Sequence, residues 1–315
     1  MPPLFFQKFW HIIHSDVVDC VLRILNDKIL LHKLNFTHIV CIPKCKKPET
    51  VAHFRPISLS NVIMRIASKC VANRLKFLLD DIISVSQSAF IPGRLITDNV
   101  LVAFEINKWV KTKTRGKAGS IALKLDMSKA YDRVEWNFLE RVLHRIVIHE
   151  GCIRLIMLLV TSVSYSLMLN GKQFGYFTPR RGLRQGDPLS PYLFLFIAET
   201  FSSMLQRAEE QHHIQGIAVA RGAPKVSHLL FVDDTIIFSQ ATEGAMRTIR
   251  DILELYAGAS GQVINLEKSS MVISRNVEAP RRMQLAQQLG VQIVDKHEKY
   301  LGLPVIASKS RTELF

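Results

Sequence analysis

Near the start of the chain, Val17, Val18, Val21, Leu22, Leu25 and Ile29 recur at helical spacing and predict an amphipathic helix. A short apolar run from Thr37 to Pro43 predicts a strand, followed by basic and turn-forming residues from Lys44 to Pro48. From Asn61 to Leu79 the period is helical again. Ile63, Ile66, Ala67, Val71 and Leu75 form one stripe, with Lys69, Arg74 and Lys76 elsewhere. The segment Thr112 to Ser120, rich in Lys, Arg and Gly, reads as a surface loop. The period then drops to two: Ile121, Leu123 and Leu125 alternate with Ala122 and Lys124, which predicts a half-buried strand from Ser120 ending on Asp126. A helix is expected from about Trp136, and Pro188 and Pro191 restrict the backbone ahead of an apolar helix from Tyr192 to Leu205. Two short apolar arms, His228 to Val232 and Thr235 to Phe238, flank Asp233-Asp234 and predict a β-hairpin with both acids at its tip. A last helix is expected near Met246 to Tyr256. This order of elements predicts an α+β fold in which helices back an antiparallel sheet.

Composition narrows the function classes. At 315 residues the chain can bury a sizeable core, with 48% hydrophobic and 22% charged residues. The longest apolar run, Leu155 to Leu169, is interrupted by polar residues and too short to span a bilayer, so no membrane partner is expected. Met1 to Trp10 lacks a basic stretch followed by an apolar core, so it does not read as a secretory signal. No internal repeat or low-complexity tract is present. The 41 Lys and Arg against 27 Asp and Glu leave a formal charge of +14, which suits a polyanionic partner because each neutralised phosphate releases counterions. The five cysteines (20, 41, 45, 70 and 152) lack paired metal-ligand spacing and read as reduced thiols.

The candidate chemistry lies in three acids. An Asp-Asp turn or an acid at a strand end is common and, alone, means little. Delivered together from two strands, Asp126, Asp233 and Asp234 would repel one another unless cations neutralised them. Two Mg²⁺ ions about 3.5–4 Å apart would do so, one activating an attacking hydroxyl and one clamping a leaving oxygen. Hard oxygen ligands favour Mg²⁺ over Zn²⁺, with Mn²⁺ as a substitute.

Leu125-Asp-Met-Ser-Lys-Ala-Tyr-Asp132, Gly182-Leu-Arg-Gln-Gly-Asp-Pro-Leu-Ser-Pro191 and Phe231-Val-Asp-Asp234 together resemble reverse transcriptases, and more narrowly the non-LTR (LINE-type) retrotransposon form, plant-like. Phe54-Arg-Pro-Ile-Ser58, Gln87-Ser-Ala-Phe-Ile-Pro-Gly-Arg94 and Lys299-Tyr-Leu-Gly-Leu-Pro304 extend the resemblance over nearly the whole chain. The resemblance implies a right-hand polymerase fold of fingers and palm, with the thumb largely absent. It implies RNA-directed DNA synthesis from an RNA template, a DNA primer and deoxynucleoside triphosphates. Asp126, the Met127 carbonyl, Asp233 and Asp234 would then be metal ligands, with Asp233 the closer hairpin ligand. Lys268 would protonate the leaving pyrophosphate, Arg55 and Lys44 would grip the triphosphate, and Gln185 and Gly186 would line the nucleotide pocket. Tyr131 falls where the family places an aromatic gate that clashes with a 2′-hydroxyl. Arg94 would contact template, and Tyr300, Leu301 and Gly302 would form the primer grip. A buried aromatic is the plain alternative for Tyr131 and Tyr300, a solvated lysine for Lys268, and a local acid partner for Arg94.

The same resemblance divides the chain into an N-terminal helical extension (1–32), fingers (33–119), palm with interleaved fingers elements (120–307) and the start of a thumb or connection (308–315). Val232 departs from the alanine usual before the two acids, and Arg145 to Cys152 departs from the usual Gly-Phe turn between helices. No endonuclease domain is expected before the core and no RNase H domain after it, which raises a catalytically inactive nucleic-acid-binding remnant as the alternative to an enzyme. An RNA-dependent RNA polymerase is a lesser alternative: Asp126 and Asp132 echo its paired acids, while Tyr131 and Gln185-Gly186 argue against it. Nuclear action is expected from the family, and protein partners are left open.

Overall fold

The computed structural model of the chain describes residues 1–297, 299–301 and 303–304. The chain divides into two compact units, one built from Met1–Ile82 with Tyr131–Phe196, the other from Ile83–Ala130 with the chain from Ile197 onward.

The first unit holds helices α1 (Pro3–Lys8), α2 (Trp10–Leu22), α3 (Val62–Leu75), α4 (Leu79–Ile82), α6 (Trp136–Arg145) and α7 (Glu150–Thr161). Its sheet contains β1 (Phe36–Pro43), β2 (Phe54–Leu59), β4 (Ser164–Leu169) and β5 (Lys172–Phe177) in the order β2-β1-β4-β5. β1 runs antiparallel to β2 and parallel to β4, and β4 forms an antiparallel hairpin with β5. The apolar run Leu155 to Leu169 is therefore shared between a helix and a strand, and none of the described helices is long and apolar enough to cross a membrane.

Two helical expectations differ in which positions are buried. α2 buries Val17 and Val21, and Ile24 continues that face at i+7, while Val18 and Leu22 on its flank and Ile29, beyond a π-helical turn over Arg23–Asp27, are exposed. α3 starts at Asn61, whose side-chain oxygen accepts from Ile63 N at 3.1 Å. Its buried face is Met64, Ala67, Ser68, Val71, Ala72 and Leu75, so Ile63 and Ile66 lie at the margin, and a 3₁₀ turn at Lys76–Leu78 ends the regular helix before Leu79.

The second unit holds α5 (Ile96–Thr112), α9 (Glu243–Ser260), α10 (Ala279–Leu289) and β3 (Ser120–Leu125), β6 (His228–Phe231), β7 (Asp234–Gln240), β8 (Ser270–Ile273) and β9 (Gln292–Ile293). A small hairpin of β10 (Lys299–Tyr300) and β11 (Leu303–Pro304) follows. α8 (Ser190–Glu210) gives its first turns to one unit and the rest to the other. The main sheet has the order β6-β7-β3-β8-β9, antiparallel except for the β8–β9 pairing.

β3 is not the half-buried strand that its alternation predicts. It lies between β7 and β8, and Ile121, Ala122, Leu123 and Leu125 are all buried, leaving Lys124 half-buried. On one face α5 packs Ala103, Ile106 and Val110 against Ala122, Leu229, Ile236, Phe238 and Val272. Alternation along the strand turns Ile121, Leu123 and Leu125 to the other face, which is equally dry. A strand covered on both faces needs no polar positions, and the small Ala122 carries the pattern of neither.

Candidate active site

The β6–β7 hairpin is built from apolar arms whose register pairs His228 with Ile237 and Phe231 with Asp234. That register leaves Val232 and Asp233 as the two-residue turn and makes Asp234 the first residue of β7. The tip is thus one residue earlier than the Asp233-Asp234 expected from the sequence. Alternating apolar arms define a hairpin but not the frame of its turn. Val232 has φ 58°. Positive φ at the first turn position suits the twist of a two-residue hairpin, yet a β-branched residue adopts it at a cost of about 1–3 kcal/mol.

A neighbouring segment holds this turn. The Gln87 side-chain oxygen accepts from Val232 N at 3.2 Å and from Ala89 N at 3.0 Å. Leu230 N donates to Ser86 O at 2.8 Å, and Ser88 N donates to Leu230 O at 3.3 Å, so residues 86–88 lie alongside the outer strand β6. Asn99 Nδ2 adds 2.9 Å bonds to Leu230 O and Ser88 Oγ, and its own oxygen accepts from the Tyr300 hydroxyl at 2.9 Å. Gln87 is 1% exposed, and its Nε2 is buried without a hydrogen-bond partner among the described residues.

β3 meets this hairpin through β7. The ladder runs from Ser120↔Gln240 to Leu125↔Thr235, and Asp126 and Asp234 are the next residues on the two chains. Burial raises the Asp233 carboxyl above the usual aspartate range, and the charges of Asp234 and Asp126 push it the same way. Burial also raises Asp234; Lys124 works against the rise and Asp126 adds to it. The three acids therefore act on one another electrostatically at one end of the sheet. Among the described residues, no three His, Cys, Asp or Glu side chains converge closely enough to hold a metal ion as they stand. Their donor chemistry nonetheless fits a divalent cation: the oxygens are hard ligands, and the mutual repulsion is what such a charge relieves.

The backbone after β3 is held by residues 262–269. Asn265 N donates to Asp126 O at 2.8 Å, Ser128 N to Val263 O at 2.7 Å, and Gln262 Nε2 to Ala130 O at 2.9 Å. Ser269 Oγ accepts from Asp126 N at 3.1 Å and donates to Asn265 O at 2.7 Å. Met127 bridges Ile264 through these flanking bonds, so its own carbonyl points away from Ile264. Lys268 sits exposed in the turn of this segment, where its N–H donates to Asn265 O at 3.2 Å.

The expected nucleotide-pocket residues belong to the first unit. Arg55 is exposed on β2, opposite Ile42. Lys44, in the connection between β1 and β2, donates its Nζ to Ala52 O at 3.1 Å. Tyr131 is half-buried with its ring stacked on Phe194, centroids 5.0 Å apart. Ser58 N donates to Gln185 O at 2.9 Å, and Gln185 Nε2 donates to Asp132 Oδ1 at 3.1 Å. Gly186 has φ 101°, a conformation only glycine takes readily, and a Cβ there would lie 3.5 Å from Ser58 O. On either side of Gln185 and Gly186, Arg184 and Asp187 form a buried ion pair at 2.8 Å. Asp187 also accepts from Ser68 Oγ and Leu189 N, and Arg184 donates to Asn35 Oδ1 and Leu159 O.

The remaining candidates lie in the second unit. Arg94 spends its guanidinium on the carbonyls of Ile83 (3.0 Å), Ser84 (2.5 Å) and Gln87 (2.7 Å). Tyr300 is 1% exposed within the α5–sheet core, and burial raises its hydroxyl above the ordinary tyrosine range. Leu301, at φ 52°, packs against the same core in the β10–β11 turn, and Gly302 lies outside the described residues. The hydrogen bonds of Gln87, Asn99, Gln262 and Ser269 are not foreseeable from the sequence. Their signal is a polar residue set among apolar ones, which does not say what it bonds.

Residues 42–305 match the family described as reverse transcriptase (RNA-dependent DNA polymerase). The chain is 26% identical over 274 residues to the uncharacterized 149 kDa protein of transposon TX1 from Xenopus laevis, spanning 87% of this chain and 20% of that protein. It is 29% identical over 245 residues to the retrovirus-related Pol polyprotein from type-1 retrotransposable element R2 of Nasonia vitripennis, spanning 76% of this chain and 22% of that protein. A shorter stretch of 68 residues is 53% identical to the uncharacterized mitochondrial protein AtMg01250 of Arabidopsis thaliana, spanning 22% of this chain and 56% of that protein. The chain thus spans about a fifth of the TX1 and R2 relatives. Among solved structures, apo telomerase from Candida tropicalis, truncated from its C-terminal domain, aligns with a TM-score of 0.54 at 16% identity, over 86% of this chain and 56% of that one. That likeness establishes the right-hand polymerase fold. Since the family match runs through β3, the β6–β7 hairpin and most of the chain between and around them, the chain belongs to the reverse transcriptase family, with Pol proteins of non-LTR retrotransposable elements among its relatives.

Proposed function

We propose that the chain is an RNA-directed DNA polymerase that adds deoxynucleotides to the 3′-hydroxyl of a DNA primer annealed to an RNA template. The observation that carries this reading is the β3–β7 register, whose last pair, Leu125↔Thr235, makes Asp126 and Asp234 the next residues on the two chains, with Asp233 in electrostatic reach of both. Asp126, Asp233, Asp234 and the Met127 carbonyl would hold two Mg²⁺ ions, for which Mn²⁺ could substitute. When bound, the ions supply activation of the primer hydroxyl and neutralisation of the triphosphate.

The chain's own groups would do the rest. Arg55 and Lys44 offer exposed cations to the triphosphate, the guanidinium in a fork that matches phosphate oxygens. Gln185 and Gly186 would border the nucleotide, the glycine allowing close backbone approach. Tyr131, braced on Phe194, would clash with a 2′-hydroxyl and so select deoxynucleotides. Lys268 would supply the proton to pyrophosphate. Arg94 would act at the template by ordering the loop that its guanidinium ties together, and Tyr300, Leu301 and Gly302 would support the primer. Action in the nucleus, on the RNA of a mobile element, belongs to the same proposal.

The test is extension of oligo(dT) on poly(rA) with dTTP and Mg²⁺. The expected result is extension by the parent chain and none by Asp233→Ala. A second reading is a chain that holds nucleic acid without turnover, for which the formal charge of +14 would suffice. RNA binding that survives EDTA, with no extension by parent or variant, would establish that reading instead.

A further inference from the structure

The Val232-Asp233 turn is strained at its first residue, and one side chain from a distant part of the chain answers that strain. Gln87 places its oxygen on Val232 N at 3.2 Å while also accepting from Ala89 N at 3.0 Å. The second bond fixes the carboxamide's orientation, because only the oxygen can serve two donors. Three features keep Gln87 in place. Its neighbours Ser86 and Ser88 exchange backbone bonds with Leu230 at 2.8 and 3.3 Å. Asn99 ties Ser88 Oγ to Leu230 O. The residue is 1% exposed. Its Nε2 is buried and unpaired among the described residues, a desolvation cost accepted while the oxygen stays on the turn.

We propose that Gln87 is a positioning residue for the carboxylate hairpin: its oxygen holds the Val232-Asp233 turn in a backbone conformation that valine alone would not keep, and so aims Asp233. This rests on the reading of Asp233 as a catalytic carboxylate. Gln87 touches no reacting atom; it acts through the Val232 amide. The strained valine and the buried amide form one device, and relief of the strain removes the need for the clamp.

Gln87→Met keeps the length and shape of the side chain and removes the acceptor. The measurement is steady-state extension of oligo(dT) on poly(rA), made for Gln87→Met alone and in a Val232→Gly background. In the valine chain kcat falls on the order of 10²-fold, since a small misplacement of a reacting group costs that much, while KM for dTTP stays within about twofold. In the glycine background, where positive φ is free, the same substitution lowers kcat by less than about threefold relative to Val232→Gly itself. Equal losses in both backgrounds, or a loss confined to KM, would overturn the proposal. Urea unfolding of the same four proteins gives a second readout that needs no activity: Gln87→Met shifts the midpoint more beside valine than beside glycine. Should the parent chain extend no primer, the polymerase reading fails, and additive midpoints would still refute the clamp while coupled midpoints would uphold it.

Discussion

Asp233 and Asp234 carry their negative charges against burial and against each other, which makes the stability of the metal-free protein depend on pH. Their folded-state pKa values lie above the ordinary 3.8. Below 3.8 both folded and unfolded chains are protonated and no penalty applies; as pH rises from there through the raised values, the unfolded chain loses its protons first and stability falls. Above that window the penalty is complete. Asp234→Asn should therefore raise the melting temperature in EDTA, with a larger gain at about pH 8 than at about pH 4. Mg²⁺ should stabilise the parent more than the variant. Equal gains at both pH values would mean that charge is not what strains the site. The Tyr131 ring stacks on Phe194, and under the proposed function its bulk would act against a 2′-hydroxyl. Tyr131→Val should raise incorporation of ribonucleotides relative to deoxynucleotides by roughly 10- to 100-fold, measured as the ratio of kcat/KM for UTP and dTTP. An unchanged ratio would leave the tyrosine as packing only.

At the scale of elements, the loop between Gly182 and Ser190 is organised by charge. Arg184 and Asp187 are 6% and 4% exposed and satisfy each other together with Asn35, Ser68 and Leu159 O. Asp187→Ala would leave a guanidinium buried without its counter-ion and should cost about 3–5 kcal/mol in urea unfolding. Arg184→Met with Asp187→Leu should recover most of that loss, because the pair's own desolvation disappears with it. Recovery of none would show that the hydrogen bonds, not the ion pair, set the loop.

Elements were legible where one face is dry and the other wet, as for α9 with its Thr242 cap accepting from Ala245 N. They were less so where burial is two-sided: β3 reads as alternating yet is covered on both faces, and α5 offers no single clean stripe, with Asn99 and Asn107 buried beside Ala103 and Ile106. The three acids could be picked out because they stand at strand ends in recognisable strings. That Asp234 opens β7 while Asp233 closes the turn was not legible, since it depends on the register of a hairpin whose arms fit either frame.

Across the whole molecule, the formal charge of +14 implies that RNA binding releases many counterions. Affinity for an RNA–DNA hybrid should fall linearly with log salt, losing at least about tenfold between 50 and 200 mM. A flat response would place recognition outside the phosphate backbone. The two sheets also differ in how they end. Beside β6, residues 86–88 occupy backbone groups that would otherwise be open, whereas β5 is exposed along its full length, with Phe174 and Tyr176 in solvent. An uncovered margin with aromatic side chains invites pairing with other chains. Self-association of the purified protein should therefore begin at the β4–β5 hairpin and leave the carboxylate end of the other sheet intact, so that clumped material could keep its chemistry while losing its solubility.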